Sequence, residues 1–218
     1  MLIDFRELFP KYNIKPKGVL HVGANVGEEA PVYLELGITK QVWIEANPVI
    51  FEKLKANLQS NPEAIPVNWC ISDKCEEVIF HVSNNGSQSS SILELGTHAQ
   101  AHPEVHYTEE IKMTAVTIEQ VFLAHGYSNP YSTLIKFLPD LDFLNIDLQG
   151  AELKALRGMG DRLKQFKWAY LEVNKEELYK GCALIGEIDE YLSGFGFKRV
   201  ETKWCGATGW GDALYIKG

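Results

Sequence analysis

The segment that most constrains the fold is Gly18–Glu29, which reads GVLHVGANVGEE. Its first part is typical of a buried strand, and Gly23 and Gly27 then permit a tight turn. We predict that a helix begins at Glu28, because an acidic pair suits the positive end of a helix dipole and Pro31 loses no hydrogen bond in a first turn. This strand, turn and helix indicate a doubly wound α/β sheet.

A second predicted strand ends in the acid Glu45, eighteen residues after Gly27. A glycine turn after one strand and an acid at the tip of the next predict a nucleoside site, in which the acid accepts hydrogen bonds from ribose. A dinucleotide site requires G-x-G-x-x-G, but Asn25 stands where the second glycine would be. The pattern therefore favours S-adenosylmethionine (SAM) over NAD. A plain βα turn without a ligand is the alternative.

The composition indicates an ordinary soluble protein, since 45% of the residues are hydrophobic and 23% are charged. We expect a single domain, 1–218, because this length suits one α/β unit. A net charge of −8 argues against nucleic-acid partners and anionic membranes. No apolar run approaches the ~20 residues of a membrane span. Four scattered cysteines favour reduced thiols and a cytoplasmic location, and oligomerisation stays open.

Strand and helix patterns alternate along most of the chain, which predicts a doubly wound, mostly parallel sheet with an antiparallel hairpin at the C-terminus. The interval 76–116 departs from the alternation, because two strand-like runs flank a long polar loop at 83–91. We interpret 76–116 as an inserted β/loop segment that acts as a lid or binding loop. The predicted strands are 19–22, 42–45, 65–71, 143–147, 168–173, 197–200 and 213–216. The predicted helices are 2–9, 28–36, 48–58, 117–123 (ended by Gly126), 150–156 and 184–192.

Four acids end predicted strands or follow them directly: Glu45, Asp73, Asp147 and Glu172. The carboxyl ends of parallel strands meet at one edge of the sheet, where ligands bind. We predict that Glu45 contacts the ribose and that Asp73 contacts the adenine amino group. Asp147 and Gln149 are then expected near the reacting methyl group. For Asp73 and Glu172, a capping or solvated role is an equally good interpretation.

The histidines allow several interpretations. His21 lies on the first strand, where a packed structural role is more typical than catalysis. His98, His102 and His106 recur every four residues, so on a helix they would form one stripe. The proline after His102 breaks helical continuity and no second ligand pair follows, so we predict no metal site there. A single loop histidine acting as a base near a substrate hydroxyl is as plausible.

Together these motifs resemble the FkbM-type SAM-dependent methyltransferases over Val19–Ile216. The motifs are HVGANVG at 21–27, WIEANP at 43–48, SDK at 72–74, SSSIL at 89–93, LNIDLQGAEL at 144–153 and EVN at 172–174. The resemblance implies a class I methyltransferase (Rossmann-like) fold, SAM as cofactor, and O-methylation of a hydroxyl on a sugar, glycan or natural product. Most members carry Asp where this chain has His21, so we expect Glu28 to take part of the contact with the methionine end of SAM.

The predicted catalytic residue is Asp147, which would accept the hydroxyl proton. The predicted cofactor-binding residues are His21, Gly23, Ala24, Asn25, Gly27, Glu28, Glu45, Ala46, Asn47, Ser72, Asp73 and Gln149. The predicted substrate residues are Ser90, Ser91, His106, Glu172 and Asn174. No metal site is predicted, and the expected partner is a small-molecule or glycan acceptor.

Two rival functions are considered. An NAD-linked oxidoreductase is disfavoured by Asn25 in the glycine turn and by the hairpin at the C-terminus. A catalytically inactive SAM-binding module is disfavoured by the intact set of strand-end acids, because folding does not require all four. Trp204 and Trp210 could line a carbohydrate site, although packing explains each of them equally well.

Overall fold

The computed structural model describes residues 1–123 and 137–218, and its strands form two sheets. The strands are β1 (Gly18–Val22), β2 (Lys40–Glu45), β3 (Ala64–Asn68), β4 (Cys70–Ile71), β5 (Glu76–Ser83), β6 (Tyr107–Val116), β7 (Phe143–Ile146), β8 (Trp168–Asn174), β9 (Phe197–Trp204) and β10 (Trp210–Lys217). The helices are α1 (Phe5–Lys11), α2 (Ala30–Glu35), α3 (Pro48–Asn57), α4 (His98–Ala101), α5 (Ile118–Leu123), α6 (Glu152–Met159) and α7 (Ile185–Ser193). Short 3-10 helices lie at Leu58–Ser60, Leu138–Asp140 and Gly160–Gln165.

The main sheet has seven strands in the order β3-β2-β1-β7-β8-β10-β9. The first five run parallel, whereas β10 pairs antiparallel with both β8 and β9. This arrangement confirms the predicted class I methyltransferase fold with its antiparallel hairpin. The direction of winding reverses between β1 and β7, and ligands bind at such a switch point in open α/β sheets.

Both faces of the main sheet are covered, which explains why its central strands read as short apolar runs. Leu20 and Val22 of β1 pack in one hydrophobic cluster with side chains of α5, α6 and α7. Val19 packs on the opposite face with side chains of α1, α2 and α3. The central strands are therefore fixed from both sides, and their carboxyl ends are held in a defined relative position.

The predicted strand 65–71 is the main error in the predicted secondary structure. In the structure β3 ends at Asn68, and Cys70–Ile71 pairs instead with β6 in a second sheet. The amide nitrogen of Asn68 donates hydrogen bonds to the carbonyls of Glu45 and Ala46, at 2.8 and 3.1 Å. These side-chain bonds tie the end of β3 to the end of β2, and the chain leaves the main sheet there.

The predicted insertion 76–116 contains β5, α4 and β6, and its sheet has the order β4-β6-β5. Its middle part is attached to the segment after β8 by main-chain bonds. The nitrogen of Gly96 donates to the carbonyl of Leu178 at 2.7 Å, and the nitrogen of Thr97 donates to that of Glu177 at 3.0 Å. The loop between β5 and β6 is therefore held over the carboxyl end of the main sheet.

Several helix boundaries differ from prediction. Helix α6 spans Glu152–Met159, where 150–156 was predicted. Helix α2 begins at Ala30 and not at Glu28, because a turn closed by the N–H of Ala30 and the carbonyl of Gly27 precedes it. Helix α1 begins after its N-cap Asp4 and includes Pro10, which was predicted to end it. Helix α5 follows the prediction, but Gly126 lies outside the described residues. No helix within residues 1–123 and 137–218 is long and apolar enough to cross a bilayer.

Candidate functional site

A cavity of about 480 Å³ lies at the carboxyl ends of β1, β2, β7 and β8, at the switch point of the main sheet. Its size is within the range of small-molecule sites in proteins. The strand tips form one part of its wall. Other parts come from the loop after β5, from the region 98–105 and from the segment 178–179 after β8. Further lining residues are Met1, Trp69, Cys70, Ile71, Phe80, Trp210 and Asp212.

The glycine turn is fixed by close contact between neighbouring strands. Gly23 has φ +82°, and a Cβ there would lie 1.7 Å from the carbonyl oxygen of Asp147. Only glycine fits, because the tips of β1 and β7 approach this closely. The main-chain nitrogens of Gly23 and Ala24 donate to the carbonyl of Ile44 at 2.9 and 3.0 Å. The turn thereby joins the ends of β1, β2 and β7.

Glu45 lies at the tip of β2 and is held by main-chain donors. Its Oε2 accepts from the nitrogen of Asn25 at 2.8 Å, and its Oε1 accepts from the nitrogen of Asn47 at 2.7 Å. Burial raises the pKa of the Glu45 carboxyl to about 7. Each oxygen has a second lone pair, so the carboxylate can still accept hydrogen bonds from a ligand.

His21 is buried between aromatic and amide groups. Its ring stacks on Trp43 with 4.6 Å between centroids, and its Nδ1 lies 3.4 Å from both the Tyr33 hydroxyl and the Asn145 amide nitrogen. Burial lowers the pKa of His21 to about 3, so the imidazole is neutral at physiological pH. These contacts agree with a structural role, and the side chain also lines the cavity.

Asp147, Gln149 and Glu172 form a connected group at the tips of β7 and β8. The amide nitrogen of Gln149 donates to Asp147 Oδ1 at 2.6 Å and to Glu172 Oε2 at 2.8 Å. The Tyr179 hydroxyl donates to the Gln149 amide oxygen. Burial raises the pKa of Asp147 to about 6, and burial together with the Asp147 charge raises that of Glu172 well above its ordinary value. A carboxyl that titrates near neutrality is suited to general-base catalysis.

Glu152 is a buried acid that the sequence did not identify as a site residue. Its Oε1 accepts from the nitrogens of Leu148 and Gly150 at 2.9 and 3.0 Å, whereas its buried Oε2 has no hydrogen-bond partner. Burial raises its pKa to about 7. The QGAE run contained the signal, but an acid in the first turn of a helix usually reads as a helix-dipole residue.

The cavity is strongly acidic. Among the described residues, its wall contains neither Lys nor Arg. The acids on the wall are Glu28, Glu29, Glu45, Glu104, Asp147, Glu172 and Asp212. Burial raises the pKa of Glu29 to about 7. The wall suits a cationic ligand and disfavours a pyrophosphate.

Most of the predicted site residues lie together on the cavity wall. They are His21, Gly23, Ala24, Asn25, Glu28, Glu45, Ala46, Ser90, Ser91, Asp147, Gln149 and Glu172. The structure places six others away from the wall. They are Gly27, Asn47, Ser72, Asp73, His106 and Asn174.

The position of Asp73 follows from the early end of β3. The hydroxyl of Ser72 donates to Asp73 Oδ1 at 3.1 Å, and Lys154 Nζ lies 3.6 Å from the same oxygen, outside the cavity. Residues 69–71 line the cavity in their place. Because the chain leaves the main sheet after Asn68, the wall receives these residues and not the two polar ones that follow.

The other displaced residues have local explanations. Asn47 caps α3, since its Oδ1 accepts from the nitrogen of Val49 at 3.0 Å. A Cβ on Gly27 would lie 2.8 Å from Leu54 Cδ1, so this glycine permits packing of α3 and not approach of a ligand. His106 is exposed, and Asn174 is buried without partners for its side-chain atoms.

The histidine stripe is divided because α4 ends at Ala101. His98 and His102 line the cavity. His98 Nε2 lies 3.4 Å from the Ser89 hydroxyl, and burial lowers the pKa of its imidazole. Tyr179 and Ser89 also line the wall and were not predicted as site residues. Ser89 begins the SSSIL motif, which contained the signal, whereas Tyr179 belongs to no pattern that distinguishes it from a packing residue. Of the two tryptophans considered above, Trp210 lines the wall.

Comparison with known proteins identifies the family. Residues 21–199 match the model of the Methyltransferase FkbM domain. The 2-O-methyltransferase NoeI of Sinorhizobium fredii (strain NBRC 101917 / NGR234) is 23% identical over 184 residues, which cover 81% of this chain and 71% of NoeI.

Two solved structures show the same fold. Magnesium protoporphyrin IX methyltransferase (ChlM) of Synechocystis PCC 6803 has a TM-score of 0.52 at 9% identity, over 98% of this chain and 76% of ChlM. The M1A22 tRNA methyltransferase TrmK of B. subtilis has a TM-score of 0.53 at 8% identity, over 100% of this chain and 67% of TrmK. With the family match over most of its length, the chain belongs to the FkbM methyltransferase family and is a SAM-dependent methyltransferase.

Proposed function

We propose that this protein transfers the methyl group of SAM to a hydroxyl of a sugar, a glycan or another polyhydroxylated small molecule. The observation that carries the proposal is the acid pair Asp147 and Glu172, bridged by Gln149 at the tips of β7 and β8. A weakly acidic hydroxyl needs a group to take its proton during methyl transfer, and this pair offers one. The similarity to the 2-O-methyltransferase NoeI supports transfer to oxygen.

In the proposed complex, the β1–β2 side of the cavity binds the cofactor. Glu45 accepts hydrogen bonds from the ribose hydroxyls through the lone pairs that the main chain leaves free. The adenine packs against the apolar wall at Ile71 and Phe80. The amino group and the sulfonium face Glu28 and Glu29, whose negative charge complements these two cationic groups.

The acceptor binds on the side formed by the loop after β5. Buried hydroxyls of Ser89, Ser90 and Ser91 line this side. Ser91 Oγ donates to the carbonyl of Gln149 at 2.8 Å, which ties the loop to the acid pair. A wall of small hydroxylated side chains can donate to and accept from several acceptor hydroxyls at once.

The reaction is an in-line displacement, so the site acts mainly by alignment. An acceptor hydroxyl oxygen forms a bond to the methyl carbon while the bond from that carbon to sulfur breaks. The positively charged sulfonium thereby becomes a neutral thioether in the demethylated cofactor. The hydroxyl proton passes to Asp147. Gln149 holds one oxygen of Asp147 by its 2.6 Å hydrogen bond and thereby orients the carboxylate.

A combined binding and transfer experiment tests the proposal. Calorimetric titration with SAM and with NAD is followed by a radiolabelled methyl-transfer screen of monosaccharides, glycans and nucleotide sugars. We expect saturable SAM binding, no NAD binding and transfer to at least one hydroxylated acceptor. SAM binding without transfer to any acceptor in the screen would support the inactive module, and binding of NAD alone would support the oxidoreductase.

A further inference from the structure

We propose that Asp147, Glu152 and Glu172 form a binding site for a hard divalent cation such as Mg²⁺, at the acidic end of the cavity. No metal site was predicted from the sequence, because only the histidines and cysteines were considered as metal ligands there. Cation binding itself does not depend on the proposed function. Only its catalytic consequence rests on that proposal.

The geometry of the three carboxylates fits one ion. One oxygen from each residue lies within 4.8 Å of the corresponding oxygens of the other two. Ions of this class bind oxygen at about 2.0 to 2.6 Å, so oxygens around one ion are separated by roughly 3 to 5 Å. A single cation can therefore contact all three carboxylates without a rearrangement of the chain.

Glu152 supplies a second, separate observation. Its side chain is fully buried, and its Oε2 has no hydrogen-bond partner. The two main-chain donors at Oε1 fix the carboxylate beside Asp147 and Glu172. A buried carboxylate oxygen without a partner is costly, and such groups in native proteins usually have a ligand, an ion or a water. A cation provides the missing interaction.

Neither a protein charge nor the cofactor supplies the missing partner of Glu152 Oε2. The α-ammonium of Met1 lies on the cavity wall, but its charge acts on Asp147. None of the three acids takes part in a salt bridge within the described residues, and the cavity wall there has no Lys or Arg. SAM is cationic, but Glu152 does not line the cavity, so a bound cofactor would not contact it. The proposed ion lies between Glu152 and the two wall carboxylates. Gln149 engages one oxygen of Asp147 and one of Glu172, which leaves the other oxygen of each.

The position of the ion gives it a defined role if the proposed function holds. Mg²⁺ usually keeps several coordination positions for water or substrate. An acceptor hydroxyl in such a position would pass its proton more readily to Asp147, through the carboxylate oxygen that does not bind the ion, because a bound cation stabilises the alkoxide. Two adjacent acceptor hydroxyls could occupy two positions together. This predicts a preference for acceptors with neighbouring hydroxyl groups.

Titration with Mn²⁺ tests the site, because this ion takes the same oxygen ligands and is visible by electron paramagnetic resonance. The chelator-treated full chain and the variants Glu152→Gln and Glu172→Gln are compared with Asp161→Asn, which removes an acid whose side chain is 86% exposed. We expect one saturable Mn²⁺ site in the wild type that Mg²⁺ displaces. Affinity should fall at least tenfold in both site variants and stay unchanged in Asp161→Asn.

SAM titration and thermal unfolding of each variant serve as folding controls. If the wild type binds SAM but shows no saturable Mn²⁺ site, the metal proposal is overturned. A Mn²⁺ affinity equal to that of the wild type in folded Glu152→Gln or Glu172→Gln would overturn it as well. Methyl transfer that persists in excess chelator would leave the proposed function intact while removing the metal from it. Mn²⁺ binding without any methyl transfer would leave the metal site and reject the proposed function.

Discussion

The two sides of the cavity are built in different ways. On the β1–β2 side the contacts involve the main chain: the nitrogens of Gly23 and Ala24 bond to the end of β2, and Glu45 is held by two further nitrogens. On the β7–β8 side they join side chains, from Tyr179 through Gln149 to two acids. The first side is therefore fixed by backbone conformation. On the second side, the hydrogen-bond arrangement depends on the protonation of the two acids and on bound ligands. Substitutions on the two sides should accordingly affect different measurements.

The largest expected effect belongs to the side-chain side. Asp147→Asn should reduce methyl transfer by about 10² to 10⁴-fold, because the variant loses the group that takes the proton. SAM affinity should change by less than about threefold, since an amide of the same shape keeps most contacts. Initial rates with radiolabelled SAM and calorimetric titration measure the two quantities. A variant that retains at least a third of the wild-type rate would contradict the assignment.

Gly23→Ala tests the main-chain side, with Gly37→Ala as its matched control. Both glycines have similar φ angles, +82° and +79°, but only Gly23 has an atom within 4 Å of the added Cβ, the carbonyl oxygen of Asp147 at 1.7 Å. We expect the free energy of unfolding in urea to fall by about 3 kcal/mol or more for Gly23→Ala and by about 1 kcal/mol for Gly37→Ala. Similar losses of unfolding free energy in the two variants would show that the close contact between β1 and β7 does not contribute to stability.

His21 should make folding sensitive to acid. Its pKa is lowered from 6.5 to about 3 in the folded state, so the unfolded chain binds the proton more tightly. The stabilisation is complete above pH 6.5 and declines as the pH falls toward 3, with a loss of about 2 kcal/mol at pH 5. His21→Phe keeps a ring on Trp43 but cannot titrate. The difference in unfolding free energy between wild type and variant should change by this amount between pH 7.5 and pH 5; a difference independent of pH would contradict it.

The smallest effects compare two acids that were both predicted to contact the cofactor. Glu45→Gln should weaken SAM binding roughly tenfold, because a charge-assisted hydrogen bond to the ribose is lost. Asp73→Asn should change SAM affinity by less than about twofold, since Asp73 lies outside the cavity. Calorimetric titration of both variants decides the point. A loss of SAM affinity greater than twofold in Asp73→Asn would support the predicted contact between Asp73 and the adenine.

The sheet could be predicted because its signals are local. Apolar runs buried on both faces, glycines in the turns after β1 and β7, and polar residues at the strand ends predicted β1, β2, β7 and β8. The same logic located Glu45, Asp147 and Glu172, since the ends of parallel strands meet at one edge. Asp73, for which a capping or solvated role was an equal alternative, lies outside the cavity because the chain leaves the sheet at Asn68 through side-chain bonds that periodicity does not reveal.

The rest of the site depends on contacts between distant parts of the chain. Glu152 could not be distinguished from an ordinary acid at a helix start. Tyr179 and His98 reach the cavity because the segment before α4 bonds to the segment after β8, about 80 residues away in sequence. Main-chain bonds of this kind have no composition signature, so they could not be inferred from one sequence.

Those same bonds have a consequence for how the protein can diverge. Gly96 and Thr97 attach their loop to Leu178 and Glu177 through peptide groups. A Cβ at position 96 would lie 2.2 Å from the carbonyl oxygen of Glu177, so the anchorage requires this glycine but no particular side chain elsewhere in the loop. The residues on the proposed acceptor side can therefore be exchanged while the loop keeps its anchorage. A related enzyme with a different acceptor would then need only a few replacements in this region. Its binding of the methyl donor would stay the same.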